Sequence, residues 1–145
     1  MTAVPVNYWA VLVCGVASMV LGYLWYGPLF GKMYMKLMGW ENVDPAKREE
    51  MMKGMTKSYI LAFIGALVMA WVLAHAIIFS GSYMHSKALN TGLITGFMSW
   101  LGFVAPVTMS NVLWGNQSWK LWFLGNGYYL VQLLMFGAIL GSWVK

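Results

Sequence analysis

Apolar positions in this chain collect into four long runs, at about 7–26, 58–79, 87–107 and 119–143, separated by shorter polar or turn-forming stretches. A helix that crosses a bilayer core needs roughly 20 predominantly apolar residues, and each run meets that length. None contains an Asp or a Glu, because all four acidic residues, Glu41, Asp44, Glu49 and Glu50, lie between the first and second runs. A carboxylate at mid-bilayer costs roughly 2.5 kcal/mol or more, so this exclusion marks the runs as membrane spans. Within the first, Trp9 and the Trp25/Tyr26 pair stand about 24 Å apart at ~1.5 Å rise per residue, the separation of two interfacial aromatic belts. Gly27 and Pro28 are then expected to stop the helix, since proline lacks a backbone donor and restricts the residue before it.

The stretch from Phe30 to Trp40 mixes aromatics with lysines and is expected to lie on the membrane surface. Asp44 and Pro45 have the form of a helix start, with Asp as N-cap and Pro at the first position. That helix is expected to run without a break into the second span. Met51, Met52 and Met55 would cover one side, while Lys32, Lys47, Arg48, Lys53 and Lys57 contact phosphate headgroups, each contributing on the order of 1 kcal/mol. The alternative is a solvated helical extension with balanced charge.

Small residues recur every fourth position in the spans: Ala10, Cys14, Ser18 and Gly22; Ala62, Ala66, Ala70 and Ala74; Gly92 and Gly96; Gly137 and Gly141. In lipid no hydrophobic effect drives helices together, and such rows let backbones approach closely. With short turns joining the second span to the third and the third to the fourth, the pattern predicts an all-α, antiparallel four-transmembrane-helix bundle in one domain covering 1–145. The row at 62–74 or the Gly137/Gly141 pair is a candidate seam for a homo-oligomer; equally, every row can pack inside one protomer.

Composition agrees with a chain whose solvent is lipid: 61% of residues are hydrophobic and only 9% charged, against roughly 25% charged in an ordinary soluble domain. The formal net charge of +5 comes from nine Lys and Arg, six of them between the first two spans. They form no stripe with stacking aromatics, so nucleic acid is not an expected partner. By the positive-inside rule the loop at 28–57 is cytoplasmic, which puts both termini outside. Lys87 and Lys145 then lie outside and Lys120 inside. The first span carries no preceding Lys or Arg and is read as retained rather than as a cleaved signal. The single cysteine, Cys14, allows no intramolecular disulfide and no Cys/His zinc set.

Candidate chemistry is sparse. Proton-coupled transporters usually carry an embedded carboxylate, and none is present. No nucleophile with an adjacent base, no paired carboxylates and no phosphate loop occur, and GxSxG, GxxxxGK[ST] and HExxH are all absent. The chain is therefore expected not to be an enzyme, and no cofactor or metal is expected. His75 is the only strongly titratable group inside a span, which makes it a candidate for function; a neutral ring bonded to a neighbouring helix is the alternative. With Thr91, Thr95 and Asn7 it would share an outer-leaflet pocket. Ser99 and Gln132 should lie near the midplane and Asn126 in the inner half of the fourth span. His85 beside Met84 has the soft-ligand character that suits Cu(I), although gap-filling explains most of the thirteen methionines. The triplet Gly125, Asn126, Gly127 is expected to interrupt the fourth helix, at roughly 1 kcal/mol of propensity per glycine, either exposing backbone to a ligand or letting Asn126 bond across to the third helix. Trp100, Tyr128 and Tyr129 would line a cavity nearby. Pro106 should kink the third helix or end it.

The runs GYLWYGPLFGK at 22–32, WLGFVAP at 100–106, NGYYLV at 126–131 and GAILG at 137–141, with NYWA at 7–10, resemble the membrane proteins of domain-of-unknown-function family 1761 over nearly the whole chain. The resemblance implies a small four-helix protein of bacterial type, at home in the cytoplasmic (inner) membrane, and supplies no activity. The function expected is a non-enzymatic bundle that self-associates and binds membrane lipid or another hydrophobic small molecule among its helices, possible also as an accessory subunit of a larger membrane complex. Its working residues would be His75, Thr95, Ser99, Trp100, Asn126, Tyr129 and Gln132. The alternative is a small transporter or channel for a neutral or weakly basic solute. In size and helix count the chain resembles small multidrug transporters, without their embedded glutamate.

Overall fold

A computed structural model describes residues 4–40, 42, 44–85 and 87–143. Glu41, Ser86 and Lys145 lie outside the described residues. The described residues are helical with no strand: α1 (Tyr8–Leu24), a π-helical turn (Trp25–Leu29), α2 (Gly31–Met38), α3 (Pro45–Lys53), α4 (Met55–Met84), α5 (Ala88–Ser99), a second π-helical turn (Trp100–Val104), α6 (Ala105–Leu113) and α7 (Trp119–Ser142). Joined across the π turns, four stretches are long and apolar enough to cross a membrane: Tyr8–Leu29, Met55–Met84, Ala88–Leu113 and Trp119–Ser142. The spans expected at 58–79 and 87–107 are thus longer than their apolar runs, because polar turns of helix extend each of them.

Local chemistry sets the ends. Asn7 caps α1, its Oδ1 accepting from the backbone N–H of Trp9 and Ala10 at 3.1 and 3.3 Å, and Ser118 caps α7 through Leu121 N–H at 3.2 Å. Gly39 closes α2 in the left-handed region, φ 74°, where glycine carries no Cβ penalty. Three expectations are corrected. The helix that starts at Pro45 does not run unbroken into the second span: Gly54 separates α3 from α4, and the Asp44 side chain makes no capping bond. Gly27 and Pro28 do not stop the first helix before them but lie inside a π turn that carries it to Leu29, and it ends at Phe30. Pro28 has no N–H for an i→i−4 bond, and the chain widens so that Phe30 N–H reaches Trp25 O at 2.9 Å. Before Pro106 the same widening occurs, Ala105 N–H donating to Trp100 O, and the helix resumes with Pro106 in its first turn, where no donor is required. The third correction concerns Gly125, Asn126 and Gly127, which leave α7 continuous.

The fourth span is the hub: α7 packs against α1, α2, α4, α5 and α6. Its seam with α5 is built from glycine. A Cβ on Gly92 would collide with Gly137 O, one on Gly96 would lie 2.5 Å from Leu133 O, and one on Gly141 would lie 2.6 Å from Ala88 O. Residue numbers rise along α5 as they fall along α7, so these two helices run in opposite directions at backbone contact. The rest of the core joins α1, α4 and α7. Cys14, Ala70 and Phe136 are wholly inaccessible at its centre, with Ala10, Ala66, Ala74 and Leu140 around them. Of the 62–74 row only Ala62 is exposed. The Gly137/Gly141 pair and three of the four alanines of the 62–74 row are therefore occupied inside the protomer. Gly22 lies on the same face of α1, against the Tyr128 hydroxyl.

Candidate functional site

The two π turns supply the geometry of the best-formed site. Each begins with a tryptophan, and the wider turn aims both indoles at α7: Trp25 Nε1 donates to Leu124 O at 3.2 Å and Trp100 Nε1 to Asn126 O at 3.1 Å. Both acceptors flank Gly125, and Gly127 opens the space in which the Trp25 ring sits, its absent Cβ falling 3.2 Å from Trp25 Cζ2. Trp25 is thus more than the belt residue its position suggests.

Beyond the second π turn, α6 brings Thr108 to Asn126. The Thr108 hydroxyl lies 2.7 Å from Val104 O and 3.1 Å from Asn126 Oδ1, sharing its one proton between them, and accepts from Trp122 Nε1 at 3.2 Å. Asn126 Nδ2 donates to Trp122 O at 3.1 Å. Of the two readings left open for Asn126, the cross-helix bond to the third span is the one the structure contains.

Beside this network lies a cavity of about 310 Å³, at the lower end of the range of roughly 300–1,000 Å³ for ligand pockets. Its lining combines the aromatic side chains of Tyr26, Tyr34, Trp122 and Tyr129 with uncharged polar groups from Thr108, Asn111, Gln117 and Asn126. The α2 helix completes it by folding back on α7, with Tyr34 stacked edge-on against Tyr26 at 4.8 Å and Trp40 at 5.6 Å. Burial, with Tyr129 nearby, pushes the Tyr34 hydroxyl above the ordinary tyrosine value, which keeps it a neutral donor at physiological pH. Among the described residues, none that lines this cavity carries a formal charge.

A second cavity, of about 340 Å³, lies between α1, α4 and α7 and shares Tyr129 with the first. Gln132 forms part of its lining and donates from Nε2 to Ser18 Oγ at 2.6 Å; Ser18 Oγ lies 3.4 Å from the Tyr128 hydroxyl, which donates to Ser18 O at 3.3 Å.

The other predicted site residues lie elsewhere. Thr95 and Ser99 line an open hollow between α4 and the third span with Ser80 and Met84, and Ser99 Oγ donates back to Thr95 O at 2.8 Å. His75 is half-exposed, its Nδ1 2.8 Å from Trp71 O on the same helix and its ring edge-on to Trp71 at 4.6 Å. It joins none of the cavities described here. The expected pocket of Asn7, His75, Thr91 and Thr95 is corrected accordingly: Asn7 shares a cavity with Ala10, Ala74 and Leu140. Ala74 faces α1, and the ~100° turn per residue of a helix carries His75 off that face. Lys32, Lys47, Arg48, Lys53 and Lys57 are all exposed.

Sequence reasoning missed Tyr26, Tyr34, Asn111 and Gln117 as lining, and Trp25 as a structural donor. A signal existed for part of this: in both spans a proline sits inside a long apolar run a few residues after a tryptophan. The contribution of α2 had none, since it depends on where the chain folds back. Searches of curated proteins and of solved structures returned no match. A family model described as protein of unknown function (DUF1761) matches residues 9–141, nearly the whole chain, and the chain belongs to that family.

Proposed function

We propose that this chain is a non-enzymatic protein of the bacterial cytoplasmic membrane that binds lipid or another hydrophobic small molecule in the cavity bounded by α2, the first π turn, α6 and α7. One observation carries the reading: the cavity's lining combines aromatic rings with uncharged hydrogen-bonding groups, the composition of a site for a neutral or amphiphilic ligand. Asn126 and Tyr129 contribute directly, and Trp100 holds the Asn126 backbone. The four spans form an antiparallel bundle in this reading, supported by the opposed numbering across the α5/α7 seam. The 28–57 loop faces the cytoplasm and both termini face outward, as the Lys and Arg distribution favours; the exposed lysines of α2 and α3 then meet headgroups beside the cavity mouth. Self-association or membership of a larger complex would use faces other than the two small-residue rows.

The transport alternative gains little. The inaccessible layer of Cys14, Ala70 and Phe136 lies between the Ser18/Gln132 cavity and the Asn7 cavity, and a solute path would have to open it.

Native mass spectrometry of protein released gently from its own membrane tests the reading. The wild type should retain a reproducible extra mass, and Tyr129→Ala or Gln117→Leu should reduce its occupancy. A wild-type protomer or oligomer that is always bare would refute binding.

A further inference from the structure

The second cavity holds an unpaired group that the first does not. Gln132 is 4% exposed, and its Oε1 has no hydrogen-bond partner while its Nε2 is engaged by Ser18. The bonding around it runs in one direction: Gln132 donates to Ser18, Ser18 faces the Tyr128 hydroxyl, and Tyr128 donates to the Ser18 carbonyl. Among the described residues, none donates a proton back to Gln132 Oε1. A buried acceptor left unpaired costs roughly 1–3 kcal/mol, and in a bilayer core water is not at hand to supply the missing donor.

The surroundings specify what can. Tyr59, Tyr128 and Tyr129 bring aromatic rings to the cavity, and on the α4 side Ala62, Gly65 and Ala66 leave a slot bordered by Met19 and Met69. Ala62 and Gly65 are exposed on the lipid-facing surface, and a Cβ added to Gly65 would meet nothing within 4 Å. The slot is therefore open from the bilayer side, and Gln132, whose unpaired Oε1 is itself buried, lines it. We propose that this mid-span groove between α1, α4 and α7 is a binding site for an amphiphile bearing a hydroxyl donor on an aromatic head, the hydroxyl donating to Gln132 Oε1 and the apolar tail leaving between α1 and α4. The site goes beyond the cavity at α2 and shares only Tyr129 with it.

The probe pair is 4-dodecylphenol and 4-dodecylanisole, alike in ring and tail, of which only the phenol can donate. Each is titrated into the purified full-length protein in detergent, and occupancy is read by native mass spectrometry. Wild type should fill with phenol at about tenfold lower concentration than with anisole, the worth of one hydrogen bond to a buried acceptor. Gln132→Leu should abolish that preference, and Gly65→Leu, which fills the slot without striking another helix, should lose both ligands. Equal occupancy by phenol and anisole in the wild type overturns the proposal without recourse to any variant, as does a preference that survives in Gln132→Leu. Gln117→Leu separates this site from the one at α2: it should leave the phenol preference intact even where the retained native mass is lost, and loss of the preference in that variant would overturn the assignment to Gln132.

Discussion

Removing the Asn126 amide strips a partner from the Thr108 hydroxyl while leaving the Trp100 bond to the Asn126 carbonyl untouched. Asn126→Leu should therefore destabilise by about 1–2 kcal/mol in denaturant titration, the upper part of the range for cross-helix bonds in membranes. Combined with Thr108→Val it should cost less than the sum, since the two share one bond; full additivity would mean that bond contributes nothing. Ser18 offers a sharper contrast. Ser18→Ala leaves Gln132 without any partner, whereas adding Gln132→Leu removes the buried amide altogether, so the double variant should be more stable than Ser18→Ala alone. At this scale the sequence singled out Asn126 and Gln132, which the structure places in the linings of the two cavities, because polar side chains in a span are few. It assigned His75 to the same group because residue type does not reveal helix rotation.

Backbone contact governs the elements. Gly92 and Gly137 meet with no room for a Cβ on either, so Gly92→Leu or Gly137→Leu must force α5 from α7 and should cost at least about 3 kcal/mol. Gly65→Leu, with open space around it, should be close to neutral in the same melting experiment; comparable losses at both sites would refute the seam. Gly54 does the opposite job, interrupting helix at the surface with an ordinary negative φ of −88°. Gly54→Ala should fuse α3 to α4 and gain up to about 1 kcal/mol, visible as raised helicity in circular dichroism. The small-residue rows were legible as packing faces from their spacing. Which neighbour each row meets was not, because a row facing another copy and a row facing the next helix have the same pattern.

For the whole molecule, the charge distribution makes orientation measurable. Cys14 is buried and should stay silent towards an impermeant maleimide in intact cells, which leaves introduced cysteines readable. In the proposed topology Tyr83→Cys, at the exposed C-terminal end of α4, should label directly, and Lys53→Cys only after permeabilisation; the reverse order would invert that topology. By itself the sequence determined that the chain has four stretches long and apolar enough to cross a membrane and about where they lie, since bilayer thickness and the cost of buried charge act on length and composition, which can be read one residue at a time. Only the tertiary structure decided that two tryptophans converge on α7 from the π turns, that α2 folds back to complete a cavity, and that Gln132 keeps an unpaired oxygen. Each of those depends on the rotation and approach of segments up to about a hundred residues apart, and local periodicity carries no information about such pairings.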